Sequence, residues 1–444
     1  YTTKPGGHGE HWQDHWVQCV FPFNKPPRLN AGQTMTVTSY HNHMNIWFDG
    51  NVPLSPASKD KKRARAPEEG LAATQCSCGW HLLHSVDRLL MVNDKRRSRL
   101  FEAEVAEAMK VVLALQSAPH ERAIVLDVGD ASVLGLAAGH YLQGERRKRQ
   151  NKGNADKEIL VVSKESKLLS RLFYDKLGGA NGLDDTFYCW DGEDFSEALS
   201  FFEDDEGEGE RGEGNMVVER QLKIAALISD TYHFQMSAKP IWQMLAFHYK
   251  RTAVAPLLLP GAPIVPSRAR VMACAFELID LYVSHGVNGM VSGFDHSHLD
   301  DRQGEWQQYW LPYKLADYQK KAVCEPVELH MVDLASEMVT LPAHTMEMPV
   351  IATGRLDCLA VWVDYGGFGQ GQGEEEGGWL ESFGPGNYPE EPAHVDFPPY
   401  MKVTLRFFPY AQQQVVGEGH TVTVTSSFTV GASDLDIKFE LKGI

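Results

Sequence analysis

A short pattern of residues occurs twice in this chain of 444 residues, once near each end. Each copy holds a Phe-Pro pair and, after a loop of equal length, the pattern Gly-x-Thr-x-Thr-Val-Thr-Ser. The first copy runs from Phe21 to Ser39 and the second from Phe408 to Ser426. Self-similarity of this kind indicates a duplicated unit. The chain holds one whole unit, preceded only by the last strands of another, so we expect an earlier unit that these residues do not contain.

The composition is that of a soluble globular protein with room for two or three domains. Hydrophobic residues make up 43% of the chain. The longest apolar stretch, from Ala253 to Val265, is interrupted by three prolines and is too short to span a membrane. We therefore expect no membrane segment.

The cysteine count and one basic run indicate in which cellular compartment the protein is expected. Seven cysteines is an odd number, and apart from Cys76 and Cys78 they are widely spaced, which favours a reducing, cytoplasmic environment. The run from Lys61 to Arg65 has the composition of a nuclear import signal, although composition alone favours a solvated linker.

A formal net charge of −17 disfavours direct nucleic-acid binding and favours basic partners. Part of this charge is concentrated in an acidic, glycine-containing segment from Glu203 to Glu213. Such low-complexity acidic stretches are typical of solvated insertions. The charge therefore limits the class of partner without identifying one.

Hydrophobic periodicity predicts four successive domains or segments. Residues 95–262 alternate buried strands with helices, which predicts a doubly wound α/β domain with a parallel sheet. Its predicted strands and one predicted helix are Ile124–Val128, Ile159–Val162, Thr186–Trp190, Ile224–Ile228 and Pro240–Tyr249. Residues 263–444 show period-two patterns, which predict an antiparallel β domain. Residues 1–55 are interpreted as the last strands of a preceding unit and residues 56–94 as a linker.

The first strand of the α/β domain ends in an Asp-x-Gly turn that leads into a helix. Turns of this type hold nucleotide-like cofactors, because glycine lets the backbone approach the ligand and the helix offers free N–H groups. Asp127 and Gly129 occupy the turn, Ala131 stands where a second glycine would help, and Glu165 follows the next strand as a candidate ribose ligand. A purely structural turn is the alternative.

The order of these domains resembles the protein arginine methyltransferases, in particular the tandem, type III members that carry two units in one chain. The resemblance covers nearly the whole chain. Asp14–Val20 is similar to the threonine-histidine-tryptophan loop that closes a first unit. The following motifs are similar to a second unit: His81-Leu82-Leu83, Asn93-Asp94, Glu277–Leu281, Gly293-Phe294-Asp295, Asp300-Asp301 and Glu325-Pro326.

The resemblance implies an S-adenosylmethionine domain of the Rossmann-like type followed by a β-barrel, and it locates the arginine site. The family clamps the substrate guanidinium with two glutamates in the loop after the fourth strand, which corresponds here to residues 229–239. Only Asp230 is acidic in that loop, and Lys239 lies near the position of the second glutamate. A cation there would repel an arginine substrate. We therefore expect no catalytic residues in this unit and only a vestigial cofactor site at Asp127, Gly129 and Glu165.

The histidine-tryptophan loop gives a second sign of lost catalysis. His15 and Trp16 are assigned by the resemblance to the substrate site of the first unit. In the second copy of the repeat, either Lys402-Val403 or Tyr400-Met401 stands at the equivalent position, so the pair is lost in both registers.

The linker holds a candidate zinc site. Cys76, Cys78 and His81 supply two thiolates and an imidazole, which suit Zn²⁺. The spacing alone fits two buried cysteines equally well, and the resemblance favours zinc. His41 is our choice of fourth ligand, with His84 as the alternative.

From the sequence we expect an arginine monomethyltransferase as the whole protein, with this unit replacing the second subunit of a dimer. Its partners would be its own N-terminal module and arginine-containing basic proteins. The first alternative is an active S-adenosylmethionine enzyme of other specificity. The second is an acidic interaction module that recruits basic substrates.

Overall fold

The computed structural model describes the chain with gaps. The described residues are 28–41, 46–51, 84–115, 123–150, 159–165, 168–190, 223–234, 239–279, 281, 289–298, 311–368, 379–381, 398, 400–408, 414–429 and 436–442. The chain divides into two compact units, Tyr1–Leu82 and Leu83–Ile444. His15, Trp16, Cys76, Cys78, His81 and the segments 61–65 and 203–213 lie outside the described residues.

The described part of the first unit contains one β-hairpin. Strands β1 (Thr36–His41) and β2 (Ile46–Asn51) pair antiparallel, with Thr36 opposite Asn51 and His41 opposite Ile46. A two-stranded hairpin is at best marginally stable alone in water. These strands therefore gain stability only by packing on further structure.

A five-stranded parallel sheet is the centre of the second unit, in the strand order β5-β4-β3-β6-β7. Its strands are β3 (Ala123–Asp127), β4 (Ile159–Lys164), β5 (Phe187–Trp190), β6 (Lys223–Ile228) and β7 (Ile264–Val265). β3 and β4 are almost continuously apolar and buried, as expected of parallel strands covered on both faces. The chain proceeds outward from β3 to β5 and then returns to the other side of β3. The carboxyl ends of β3 and β6 therefore flank the point where ligands bind in such sheets.

Five helices in the described residues cover this sheet. They are α1 (Val86–Asn93), α2 (Lys95–Leu115), α3 (Leu134–Gln150), α4 (Leu168–Ala180) and α5 (Pro240–Val254). α2, α3 and α4 share a core with one face of the sheet. α5 packs on the other face, in a core that continues into the β domain. α5 begins with a proline at its first turn, where the missing N–H is not needed.

The remaining strands form an antiparallel β domain, which confirms the predicted change of architecture. Its largest sheet has the order β11-β18-β16-β8-β12, with β13 beside β8 and β17 beside β16, and β14-β20-β21 form another. The strands are β8 (Arg268–Leu278), β9 (Met290–Val291), β10 (Phe294–Asp295), β11 (Leu311–Tyr313), β12 (Lys320–Ala322), β13 (Val327–Asp333), β14 (Leu341–Pro349), β15 (Gly354–Arg355), β16 (Cys358–Gly366), β17 (Trp379–Glu381), β18 (Val403–Phe407), β19 (Val415–Val416), β20 (Thr421–Phe428) and β21 (Asp436–Lys442). Short 3₁₀ turns occupy Ala255–Leu257 and Leu315–Asp317.

The two copies of the repeat adopt the same local structure. Gly32 and Gly419, at equivalent positions, have φ angles of +85° and +93°, a left-handed conformation that favours glycine. The residue after each glycine donates its N–H to the carbonyl three residues earlier, at 3.1 Å in both copies. An antiparallel hairpin follows in each. The repeated pattern therefore encodes a repeated turn and hairpin.

No helix among the described residues has the length and apolar character needed to cross a membrane.

Candidate functional site

The turn between β3 and α3 is organised by the Asp127 carboxylate. This buried carboxylate accepts the backbone N–H of Gly129 at 3.1 Å and that of Gly135, in the first turn of α3, at 2.7 Å. Ala131 has a φ of +52°, in the left-handed region that non-glycine residues rarely adopt. The sequence expectation that a glycine would suit position 131 therefore matches its backbone conformation. An N–H group at the start of α3 is occupied by the protein's own carboxylate rather than left for an anionic ligand.

Glu165 is folded back onto the same turn. Its Oε2 accepts the backbone N–H of Ala131 at 3.3 Å, and the residue is 1% exposed. Its Oε1 has no hydrogen-bond partner among the described residues. The carboxylate that the sequence suggested for ribose recognition thus contacts the protein backbone.

The loop after β6 is bonded directly to the turn after β3. Asp130 donates its N–H to the carbonyl of Tyr232 at 2.9 Å, and Phe234 donates its N–H to the Asp130 carboxylate at 2.8 Å. A Cβ atom added to Gly129 would lie 2.6 Å from Oδ1 of Asp230. The two loops therefore touch at the switch point.

A side chain from α5 reinforces this closure. Lys250 donates from Nζ to the carbonyl of Val128 at 2.8 Å and lies 3.1 Å from Nδ1 of His233. Burial lowers the pKa of Lys250 to about 8. The same effect, together with the Lys250 charge, lowers the pKa of His233, so this imidazole is neutral at physiological pH.

Asp230 is paired with an arginine of the same chain. The Nη2 atom of Arg88 lies 2.6 Å from Oδ2 of Asp230 and also donates to the carbonyl of Ala131 at 2.6 Å. The guanidinium lies over the ring of Tyr232, 4.6 Å from its centroid. Both charged side chains are 1% exposed. Burial disfavours the charged guanidinium, but the Asp230 carboxylate outweighs it and raises the pKa of Arg88.

A second arginine secures the same loop. Arg97 donates from Nη2 to the backbone carbonyl of Asp230 at 2.8 Å, and its Nη1 lies 3.8 Å from the carboxylate. Thr231, the next residue, has a φ of +60°, which is strained for a β-branched side chain. Strained backbone of this kind persists only where surrounding contacts hold it. Here Ser229 accepts the N–H of Thr231 at 2.9 Å.

The buried carboxylates around the turn have altered acidities. Burial, with a further contribution from the Asp230 charge, raises the pKa of Asp127 to about 7. Burial and then the charge of Asp127 raise the pKa of Glu165 to about 8. Perturbed groups of this kind cluster at functional sites. In this chain Asp127 and Glu165 both accept backbone N–H groups of the turn after β3.

A small cavity lies beside the loop after β6. Its volume is about 50 Å³, well below the ~300–1,000 Å³ of small-molecule pockets. Thr231 and Tyr232 are among its lining residues. Of the two residue pairs considered as equivalents of the histidine-tryptophan pair, Tyr400-Met401 lines this cavity with both residues and Lys402-Val403 only with Lys402. Lys402 pairs with Asp87 at 3.2 Å, and Tyr400 donates to Asp94 at 2.7 Å.

The structure brings together the sequence-predicted residues Asp127, Gly129, Glu165 and Asp230. Sequence reasoning missed the two arginines. Arg97 left a signal, because it lies four residues before Phe101 on the buried stripe that continues through α2. Lys239, expected to repel a substrate, lies at the start of α5 with its ammonium 3.6 Å from the centroid of the Trp242 ring.

The predicted metal site lies outside the described residues, apart from the backbone of His41 in β1. Across the described ranges, no group of three or more His, Cys, Asp or Glu side chains is arranged to hold a metal ion. The zinc site therefore stays a prediction.

Comparison with known proteins identifies relatives of one kind. No family model matches the chain. It is 26% identical over 364 residues to protein arginine N-methyltransferase 7 of Danio rerio, covering 81% of this chain and 46% of that protein. It is 25% identical over 443 residues to the Bos taurus protein of the same name, covering 97% of this chain and 54% of that protein. The chain thus spans about half the length of these curated relatives.

A solved structure gives a weaker likeness. The Trypanosoma brucei PRMT1 enzyme-prozyme heterotetrameric complex with AdoHcy matches with a TM-score of 0.48 and 14% sequence identity, covering 81% of this chain and 94% of that one.

Proposed function

Because the chain belongs to the protein arginine N-methyltransferase family, we propose that it is the second, non-catalytic module of a tandem methyltransferase. The first module of that protein would transfer one methyl group from S-adenosylmethionine to arginine. His15 and Trp16 would belong to that first site.

One observation carries the non-catalytic assignment: the loops after β3 and β6 are closed on each other, with Asp230 against Gly129 and Arg88 paired to Asp230. A methyltransferase needs space for its cofactor at this point and a free carboxylate to orient the substrate guanidinium. In this module the carboxylate already has two arginine partners, Arg88 and Arg97. These contacts support the proposal that this module does not methylate arginine.

An exposed apolar hairpin and a groove lined by half-buried apolar side chains support a role as the partner of another module. The tip of the β9–β10 hairpin presents Met290 and Phe294, which are 67% and 72% exposed. A groove of about 460 Å³ lies between α2, α3 and α4 and is lined partly by Val133, Leu136 and Tyr141. Exposed apolar surface of this kind marks interaction sites. We propose that the first module covers both features and that this module rigidifies it in return.

Comparison of the two copies of the repeat supports a further strand beside the first hairpin. Val424 in β20 is fully buried, whereas the equivalent Val37 in β1 is 48% exposed. β20 is paired on both sides, by β14 and β21. Among the described residues β1 pairs only with β2. We propose that the first module supplies a second neighbour for β1, as β14 does for β20.

Calorimetric titration of the 444-residue chain with S-adenosylmethionine tests the non-catalytic assignment. We expect no binding heat, with a full-length curated relative as the positive control. Micromolar binding would contradict the proposal and favour an active enzyme of other specificity.

We also propose that Cys76, Cys78, His81 and His41 bind one structural zinc ion, as thiolate and imidazole donors suit that metal. Metal analysis of the purified chain, with Cys76→Ser as the comparison, decides this. The net charge of −17 supports basic, arginine-containing proteins as partners of the whole protein.

A further inference from the structure

The Arg88 guanidinium is held in the way that proteins hold a bound arginine ligand. It meets a carboxylate oxygen of Asp230 and a carbonyl oxygen of Ala131, each at 2.6 Å. It also lies over the ring of Tyr232, and its Nη1 contacts the sulfur of Met91 at 3.1 Å. A carboxylate, a carbonyl and an aromatic face together recognise the charge, the donors and the flat face of a guanidinium.

The position of Arg88 in its helix presents it to this site. α1 begins at the N-cap Ser85, which accepts the N–H of Arg88 at 3.2 Å and bonds the Tyr232 hydroxyl at 3.2 Å. The neighbouring Leu89 and Leu90 are 45% and 38% exposed, whereas Arg88 is buried. The helix therefore inserts a cation and leaves apolar side chains in solvent, the reverse of the usual pattern.

The groups that bind Arg88 are positioned by other contacts. Tyr174 donates its hydroxyl to the carbonyl of Ala131 at 2.6 Å, and Arg97 holds the backbone carbonyl of Asp230 at 2.8 Å. The Tyr232 backbone is bonded to Asp130. The acceptors would consequently stay aligned without the Arg88 side chain.

We propose that Asp230, the Ala131 carbonyl and the Tyr232 ring form a guanidinium-binding site that Arg88 fills from within the chain. Removing the side chain beyond Cβ would open this site to a free alkylguanidinium ion. The inference rests on the proposed function in one respect, because it identifies Arg88 as the group that fills the site which a catalytic module would leave open.

Arg88→Ala provides the test, with ethylguanidinium chloride as the probe because it restores the atoms removed. We expect millimolar ethylguanidinium to raise the melting temperature of Arg88→Ala in a saturable manner, as a ligand of the folded state does. Ethylammonium chloride at the same concentration controls for charge and salt. Wild type should show no such rise, because its site is filled. The double variant Arg88→Ala/Asp230→Asn should also show none, because it lacks the carboxylate.

Arg88→Lys tests the same inference if the alanine variant does not fold. Lysine keeps the charge but lacks the second nitrogen that contacts Met91 and the flat face that lies over Tyr232. We expect its melting temperature to lie clearly below that of wild type. Equal stability of lysine and arginine would show a simple ion pair and overturn the proposal.

A folded Arg88→Ala variant that does not respond, or responds equally to ethylammonium, would also overturn it. These outcomes are independent of the proposed function, because S-adenosylmethionine binding is measured separately on wild type.

Discussion

Replacing Glu165 with glutamine should change how the stability of this chain depends on pH. Glu165 is buried, has one oxygen without a partner among the described residues, and has a pKa raised to about 8. In the unfolded chain its pKa is about 4.3. Between these values the folded state holds a proton that the unfolded state has released. The contribution of Glu165 is therefore fully present below about pH 4 and is lost as the pH rises towards 8.

The size of the effect follows from proton linkage. Where the folded state holds one proton more than the unfolded state, the free energy of unfolding falls by about 1.4 kcal/mol for each unit by which the pH rises. Glutamine has the shape of the protonated acid and keeps an oxygen for the N–H of Ala131. Relative to wild type, Glu165→Gln should thus be close to neutral below pH 4, about 1 kcal/mol more stable at pH 5 and about 4 kcal/mol more stable at pH 7.5.

Urea unfolding followed by circular dichroism at pH 5, 6, 7 and 8 measures the difference between the two proteins. Glu102→Gln, at an exposed position of α2, is the matched control and should parallel wild type. A constant difference between Glu165→Gln and wild type across this range would show that Glu165 is ionised in the folded state, and the reasoning from burial would fail.

Two further substitutions examine the closed loops and the exposed hairpin. Gly129→Ala should lower the free energy of unfolding by about 1–3 kcal/mol, because the new Cβ would meet the Asp230 carboxylate. Gly144→Ala, in open space on α3, is the control and should instead raise the free energy of unfolding by about 0.5–1 kcal/mol. If urea unfolding gave the same change for both variants, the contact between residue 129 and Asp230 would be refuted. Phe294→Asp should leave the melting temperature of this chain unchanged, since Phe294 is exposed. In the tandem protein it should reduce arginine methylation, measured by transfer of labelled methyl groups, and full activity would exclude the hairpin from the interface.

The sequence predicted the parts of this structure that depend on local pattern. The apolar runs located β3, β4 and β6, and the repeat predicted a duplicated unit, whose two copies share a glycine turn and a hairpin in the structure. Asp127, Gly129, Glu165 and Asp230 were predictable as one cluster because each follows a parallel strand, and such strands end at one edge of the sheet.

The pairing of Arg88 with Asp230 was not predictable in this way. These residues lie 142 positions apart, and their contact depends on how α1 is placed against the loop after β6. An arginine in a short helix is usually solvated, so its type gave no signal. Arg97 lay on an apolar stripe, yet its partner could be identified only from the tertiary structure.

The ion pair between Arg88 and Asp230 also bears on the evolutionary history of this module. Removing either partner leaves a buried, uncompensated charge, which destabilises a protein by roughly 3–5 kcal/mol. That is a large fraction of the ~5–15 kcal/mol by which a typical domain is stable. Under the proposed function, a single substitution at Arg88 or Asp230 therefore carries a large cost in stability, so the pair disfavours a return to an open site.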